Sequence, residues 1–475
     1  MRTAVLVFLI SACGPVTEPD DDGEGGNSAP TDISLSAARV GEQAVAGTVI
    51  GTFASEDSDA GDSHSYALIE NPGGLFEVVG DVLQVAPGAV IDFEAGAARR
   101  ITVRSSDSGG GTIDGEFEIQ IDDIREVVNL DDAGAGSLRQ ACADAAPGET
   151  ILFESGLTGT ISIQSPILLS KAVTLRGPLD RSIELDGNDL GHIIEVGFAA
   201  DAVLSNLKFT RGKTAISVNG TLSVLDGLFE DSTTTQFGRG GAIANLAGGK
   251  LVVADTTFRN NTGFNGGAIA ADGAETTIAS STFVDNATSG NSGGAIVGGP
   301  MKVINCTFSG NAATGSNRSG GALALFGGMN VVAFSTFVGN SSTGNGGGVF
   351  ASNSITGLEL RGSIFLQNVG ANAPDFDAGT SGLVTGSDNI LANGAGSGFT
   401  DAINNNLVSG VVQLGALVDN GGPTVTFRPA GGSLEIDYVP AAKCTNLANQ
   451  PLLVDQRGRP RPIAGGCEAG AVEAD

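Results

Sequence analysis

"FRNNTGFNGGAI" occupies Phe258–Ile269. It holds no cysteine and no histidine, yet both of its signatures return along the chain. Phe-x-x-Asn recurs as "FRNN", "FVDN", "FSGN", "FVGN" and "FLQN", joining Phe258 to Asn261, Phe283 to Asn286, Phe308 to Asn311, Phe337 to Asn340 and Phe365 to Asn368. Glycine pairs followed by Ala-Ile or a relative begin at Gly240, Gly266, Gly293, Gly320 and Gly346, at spacings of 26, 27, 27 and 26 residues. A period in the twenties marks a solenoid. About three short β-rich runs fill each period, as in "TISIQS", "AVTLRG" and "SIELDG", and none has helical periodicity. The fold class this predicts is all-β, with a parallel β-helix over residues 151–420.

Such a coil gives each repeated residue an architectural task. The phenylalanines face inward and stack from coil to coil. The asparagine three positions later is expected at a turn, in the left-handed conformation, with its amide bonded to neighbouring coils. The glycine pair supplies positive φ at a corner that a Cβ would block. Upstream, "SLRQACADAAPG" reads as a short helix that caps the first coil within a linker spanning 125–150. Ser137 and Gln140 form an S-x-x-Q capping box, Leu138 and Cys142 face inward, and Pro147-Gly148 ends the helix. Residues 421–475, rich in Gly and Pro, are expected to form a C-terminal cap.

The GGA(I/L/V) and FxxN repeats resemble those of the polymorphic outer-membrane proteins. "SLRQA", "ALVDNGGPTVTF" and "DQRGRPRPIAGGCEAGAVE" resemble the beginning and end of the bacterial choice-of-anchor proteins, whose β-helices are right-handed and belong to the pectate-lyase-like superfamily, so the resemblance implies a right-handed parallel β-helix. The resemblance covers about residues 127–475 and implies a surface location with variable anchoring.

Residues 31–124 have a different character. "DISLS", "GTVIGTFAS", "HSYALIE", "VLQVA" and "RRITVRSSD" are short alternating runs separated by turn residues, the pattern of an antiparallel β-sandwich. "GEQ", "DSDAGD", "DFE", "SDSGG" and "DDI" arrive in the order of a cadherin-like domain, which this segment resembles. That resemblance implies calcium, a hard cation held by six to eight oxygens. Carried over, Asp57, Asp59 and Asp107 belong to the N-terminal pole. Glu42, Asp92, Glu94 and Asp123 belong to the C-terminal pole, where one calcium site is expected. Arg125 stands where the family has an Asn, and a guanidinium cannot coordinate a metal.

The chain begins "MRTAVLVFLISAC", an apolar run too short to span a bilayer. "ISAC" resembles a bacterial lipobox. This implies a signal peptide at 1–12, a diacylglycerol on Cys13, and an exported lipoprotein at the outer membrane or cell surface. Residues 13–30, "CGPVTEPDDDGEGGNSAP", read as an acidic Pro/Gly tether. The formal net charge of −29 and the lack of a Lys/Arg cluster argue against nucleic-acid binding. Export permits disulfides. Cys444 and Cys467 lie close together in the loop-rich tail and are the best pair, whereas Cys142 and Cys306 read as buried thiols.

No catalytic constellation stands out. A glycosidase needs two carboxylates about 5 to 9.5 Å apart, yet Asp226, Asp231, Asp255 and Asp285 fall at ordinary repeat positions. His192 stands alone, and Arg211, Arg239 and Arg259 lack the carboxylate partners of a pectate-type lyase. The expected function is therefore non-enzymatic adhesion or display toward a glycan or another surface protein. A polysaccharide lyase or glycoside hydrolase on the same scaffold is the alternative, and a passive surface spacer is a further one.

Overall fold

The computed structural model describes residues 27–474 apart from positions 60, 94, 380, 381, 402, 409, 463 and 464. The leader 1–12, Cys13 and the greater part of the tether lie outside the described residues. The chain divides into two compact units, residues up to Asp123 and residues Ile124–Asp475.

In the first unit, alternation of apolar and polar residues builds two four-stranded sheets. One runs Asp32–Leu35, Val49–Glu56, Val82–Val85, Phe76–Val79, all antiparallel. The other runs Arg39–Gly41, Thr112–Asp122, Ala98–Asp107, His64–Glu70, with only the Arg39–Gly41 pairing parallel. In Ala98–Asp107, Ile101 and Val103 are buried while Arg100 and Arg104 are exposed, the period of two that a half-buried strand requires. Ile33, Phe53 and Leu83 from one sheet and Val40, Ile101 and Ile119 from the other share a single core, so the unit is a β-sandwich.

The second unit is a parallel β-solenoid with three long sheets of 11, 10 and 9 strands. One coil shows the plan. Lys250–Ala254 lies in the first sheet, Thr257–Arg259 in the second and Ile269–Ala271 in the third, and Glu275–Ala279 returns to the first in register with Lys250–Ala254. Strict register puts like on like. Phe209, Phe229, Phe258, Phe283, Phe308, Phe337 and Phe365 are all fully buried. Their ring centroids lie 4.6 to 4.9 Å apart with nearly parallel planes. That is the spacing of adjacent strands, so one phenylalanine per coil makes a continuous column.

The asparagine column beside it differs from expectation in one respect. The left-handed residue is the one before each asparagine: Asn260, Asp285, Gly310, Gly339 and Gln367 have φ between 53° and 68°. That residue turns toward solvent, and the turn aims the next side chain inward. Asn261, Asn286, Asn311 and Asn340 are fully buried. Each Nδ2 donates to the Oδ1 of the next asparagine at 2.8 to 3.0 Å and to a phenylalanine carbonyl at 3.0 Å. The ladder ends where Asn368 Nδ2 donates to Asp375 Oδ1 at 3.0 Å. Gly266, Gly293, Gly320 and Gly346 have φ of 64° to 77°, as the corner demands. The glycine after each serves close approach instead, because a Cβ on Gly267, Gly294 or Gly321 would overlap the carbonyl oxygen of the neighbouring coil.

The helix Leu138–Asp144 is capped by Ser137, whose side chain accepts from the Gln140 N–H at 3.2 Å, and it buries Leu138, Ala141 and Cys142 against the first coils. At the other end Phe399 stacks on Phe376, with centroids 5.2 Å apart. The stretch 421–475 packs along the flank. The Pro423 carbonyl accepts from Arg181, Val425 O from Thr282, and Gln456 Oε1 from Thr307, while Ala471 N donates to Thr336. Cys444 and Cys467 form a disulfide within this strap. Cys142 and Cys306 are buried free thiols, both pushed up to about 12 by burial.

The strap docks through a buried charge knot. Arg461, fully buried, meets Glu473 at 2.5 Å and lies over the Phe334 ring at 4.6 Å. Beside it, Glu468 is pushed up to about 8, first by burial and then by its hydrogen bond to, and the charge of, Glu473. The folded state thus keeps a proton that the unfolded chain releases above about pH 4.5. Stability from this group is complete below that pH and falls as pH rises toward 8. Glu468→Gln keeps a donor without titrating. Its melting temperature is expected to match the parent's near pH 4.5 and to exceed it increasingly up to pH 8; a gap that does not change with pH would contradict this.

Candidate metal centre

Three carboxylates converge at one pole of the sandwich. Asp57 and Asp62 lie in the loop between Val49–Glu56 and His64–Glu70, and Asp107 ends Ala98–Asp107. One oxygen from each lies within 4.8 Å of the others. Among the described residues this is the one group of three or more side chains able to hold a metal ion.

The hydrogen bonds around the group are uneven. Asp107 Oδ1 accepts from the N–H groups of Gly109 at 2.8 Å and Gly111 at 2.9 Å, and Oδ2 from Asn27 Nδ2 at 3.0 Å. Burial works against the charge of Asp107, but the bonds from Asn27, Gly111, Gly109 and Gly110 outweigh it and hold its pKa below the ordinary value. A Cβ at Gly111 would run into the same carboxylate, so this approach needs glycine. Asp57 Oδ1 accepts from Asp59 N at 3.0 Å, and its Oδ2 lies 3.1 Å from His64 Nε2. Asp62 Oδ1 accepts from Ser108 Oγ at 2.8 Å, whereas Asp62 Oδ2 is buried with no hydrogen-bond partner. A buried, unpartnered carboxylate oxygen is costly unless something positive meets it.

The donor set fits calcium. Its oxygens sit at about 2.3 to 2.6 Å, so two on opposite sides of the ion lie about 4.8 Å apart. Asp57, Asp62 and Asp107 supply hard anionic donors with that spread.

Of the residues read from sequence for this pole, Asp57 and Asp107 come together and Asp59 does not. Asp59 Oδ2 instead accepts from Ser28 N at 2.5 Å. Asp62 takes its place; it closes the same "DSDAGD" stretch, and the signal overlooked was that a five-residue spacing brings a loop back on itself. Sequence reading placed the single site at the opposite pole. There, Glu42 Oε2 accepts from Phe93 N at 3.3 Å, which ties two loops together, and Asp92 Oδ1 accepts from Ala95 N at 3.2 Å within its own loop. Asp123 follows the last strand of the sandwich, and Glu94 lies outside the described residues. Arg125 is held by Glu149 at 2.9 Å.

On the solenoid, the carboxylates weighed for catalysis have structural posts. Asp226, Asp231, Asp255 and Asp285 all take left-handed turn positions with φ of 53° to 55°. Arg211 pairs with Asp186 and Arg259 with Glu230, while Arg239 donates to Ser217 at 2.9 Å. His192 Nδ1 lies 2.8 Å from the Thr214 carbonyl, a backbone tether. Among the described residues no helix is long and apolar enough to cross a membrane. No family model and no curated protein matches the chain.

Proposed function

We propose that this chain is a non-enzymatic, lipid-anchored bacterial surface protein that works in adhesion or ligand display, with calcium bound at the sandwich pole. The Asp57, Asp62 and Asp107 cluster with its orphaned Asp62 oxygen is the observation that carries the calcium part. The lipobox-like "ISAC" before Cys13 and the acidic tether support the anchor. The solenoid supports display: its repeated Phe, Asn and Gly build the rod, which leaves the outward residues of each coil open to variation. Cadherin-like and choice-of-anchor identity stand as part of this reading.

Calcium decides the first part. Adding it at 1 mM to the full mature chain should raise the melting temperature of the sandwich by several degrees, and Asp62→Asn should remove the shift. Equal melting with calcium and with chelator would end the calcium reading. Mass spectrometry of the mature N-terminus checks the lipid on Cys13. Aggregation of a deletion strain, with and without chelator, checks adhesion.

A further inference from the structure

A groove opens between the first solenoid sheet and the flank strap. Its floor is the outward face of Gly357–Arg361 and Val384–Ser387, and its wall comes from Val439–Thr445. Three cavities of about 260, 210 and 270 Å³ run into one another. Glu359 and Ser387 line the first two, and Thr385, Gly386 and Asn404 line the second and third. Taken together, adjoining cavities of these volumes fall in the range of small-ligand sites.

We propose that this groove binds a neutral glycan segment of a few sugar rings. Its charges are present but cancelled. Arg361 Nε meets Glu359 at 2.7 Å, and Lys443 Nζ meets Asp388 at 2.9 Å, two cations against two carboxylates. These groups are fixed as well as paired. Arg361 also donates to the carbonyls of Thr445 at 2.7 Å and Asn446 at 3.0 Å, and Asp388 also accepts from Asn405 at 2.9 Å. Preorganised polar groups lose little entropy on binding.

The middle of the groove carries Thr385, Ser387 and Asn404, which both donate and accept, as sugar hydroxyls do. The far end is apolar, with Ile403, 59 % exposed, beside the half-buried Phe399 that stacks on Phe376. A pyranose has the matching two-sided character, hydroxyls around its rim and C–H groups on its face. An acidic saccharide would find no net local charge in these two ion pairs and would have to approach a chain of net charge −29, which disfavours it. A peptide would find one apolar platform rather than the series of side-chain pockets that peptide grooves use.

This proposal rests on the display reading and names its ligand class. The test is calorimetry of the purified chain with neutral tetramers to hexamers (malto-, cello- and chito-oligosaccharides) and with oligogalacturonates. Thr385 is exposed at the centre of the groove, so Thr385→Trp fills it while leaving both ion pairs in place. Thr277→Trp, outward on the same sheet but outside the groove, is the control for an added indole. One neutral series should bind, at least tenfold more weakly to Thr385→Trp and unchanged with Thr277→Trp, with both variants keeping the parent melting temperature. Binding to no neutral oligosaccharide, preference for oligogalacturonates, or full binding by Thr385→Trp would each overturn the proposal. Glycan binding by the purified chain, with unaltered adhesion of the deletion strain, would remove the display reading and leave the site standing. An adhesion defect without glycan binding would do the reverse.

Discussion

Asn311→Ala is expected to destabilise the solenoid by roughly 2 to 6 kcal/mol, since it strips two buried backbone groups of a partner at a cost of about 1 to 3 kcal/mol each. Asn311 is fully buried at the centre of the ladder. Its Nδ2 donates to the Phe283 carbonyl at 3.0 Å and to Asn340 Oδ1 at 2.8 Å, and its Oδ1 accepts from the Asn286 backbone N–H and Nδ2, each at 3.0 Å. Alanine removes all four bonds, leaving the Asn286 N–H without its partner and the Phe283 carbonyl without its side-chain donor where water does not reach. Because each coil touches only its neighbours, the damage is local to the coils on either side. Denaturant unfolding is then expected to split into two transitions. A single transition shifted by less than about 1 kcal/mol, the net worth of one ordinary hydrogen bond, would show the ladder to be dispensable.

Gly294→Ala should do at least as much harm for a different reason. A Cβ at Gly294 would overlap the Gly321 carbonyl oxygen and crowd the Ala312 backbone, so backbone rather than a flexible side chain blocks it. The coils would have to part, breaking the Gly294 N–H bond to the Gly320 carbonyl, 2.9 Å in the native coil. Loss of soluble protein, or a cost above about 4 kcal/mol, is expected, in the range reserved for such specific backbone and packing failures. Gly248 supplies the contrast. Its φ is +91° but nothing lies within 4 Å of a Cβ there, so Gly248→Ala should cost only about 1 kcal/mol of backbone strain. Equal stability of the two variants would show that close approach of coils is not what holds Gly294.

These two residues also mark how far sequence reading reached at the level of single side chains. The asparagine was legible as a ladder member, because its partner is the same residue one coil away. Its backbone conformation was not. The left-handed residue is Gly310, one position earlier, and the choice between neighbours depends on which side chain the coil must aim inward. The second glycine of the pair was read as a corner residue. Its actual constraint, a carbonyl from the next coil, shows only once the coils are stacked.

The acidic pole was half legible. Asp57, Asp59 and Asp62 all lie in one short loop, and composition alone cannot say which two face Asp107. The loop path decides it, sending Asp59 to the Ser28 N–H and Asp62 into the cluster. Of the flank strap only the Cys444–Cys467 pair was legible, and its path along the solenoid was not. Its contacts join residues as far apart as Arg181 and Pro423, and no period links them.

By itself the sequence determined the coil length, the inward phenylalanine column, the asparagine ladder, the capping helix and the all-β class. The capping helix rests on a local contact, Ser137 with Gln140, and the others rest on contacts between equivalent residues about one period apart, so repetition in sequence is repetition in space. The tertiary structure alone decided which carboxylates meet at the sandwich pole and how the C-terminal stretch lies along the rod to wall a groove. Those features arise from single, non-repeating contacts between distant segments, where side-chain identity is visible in the sequence but proximity is not.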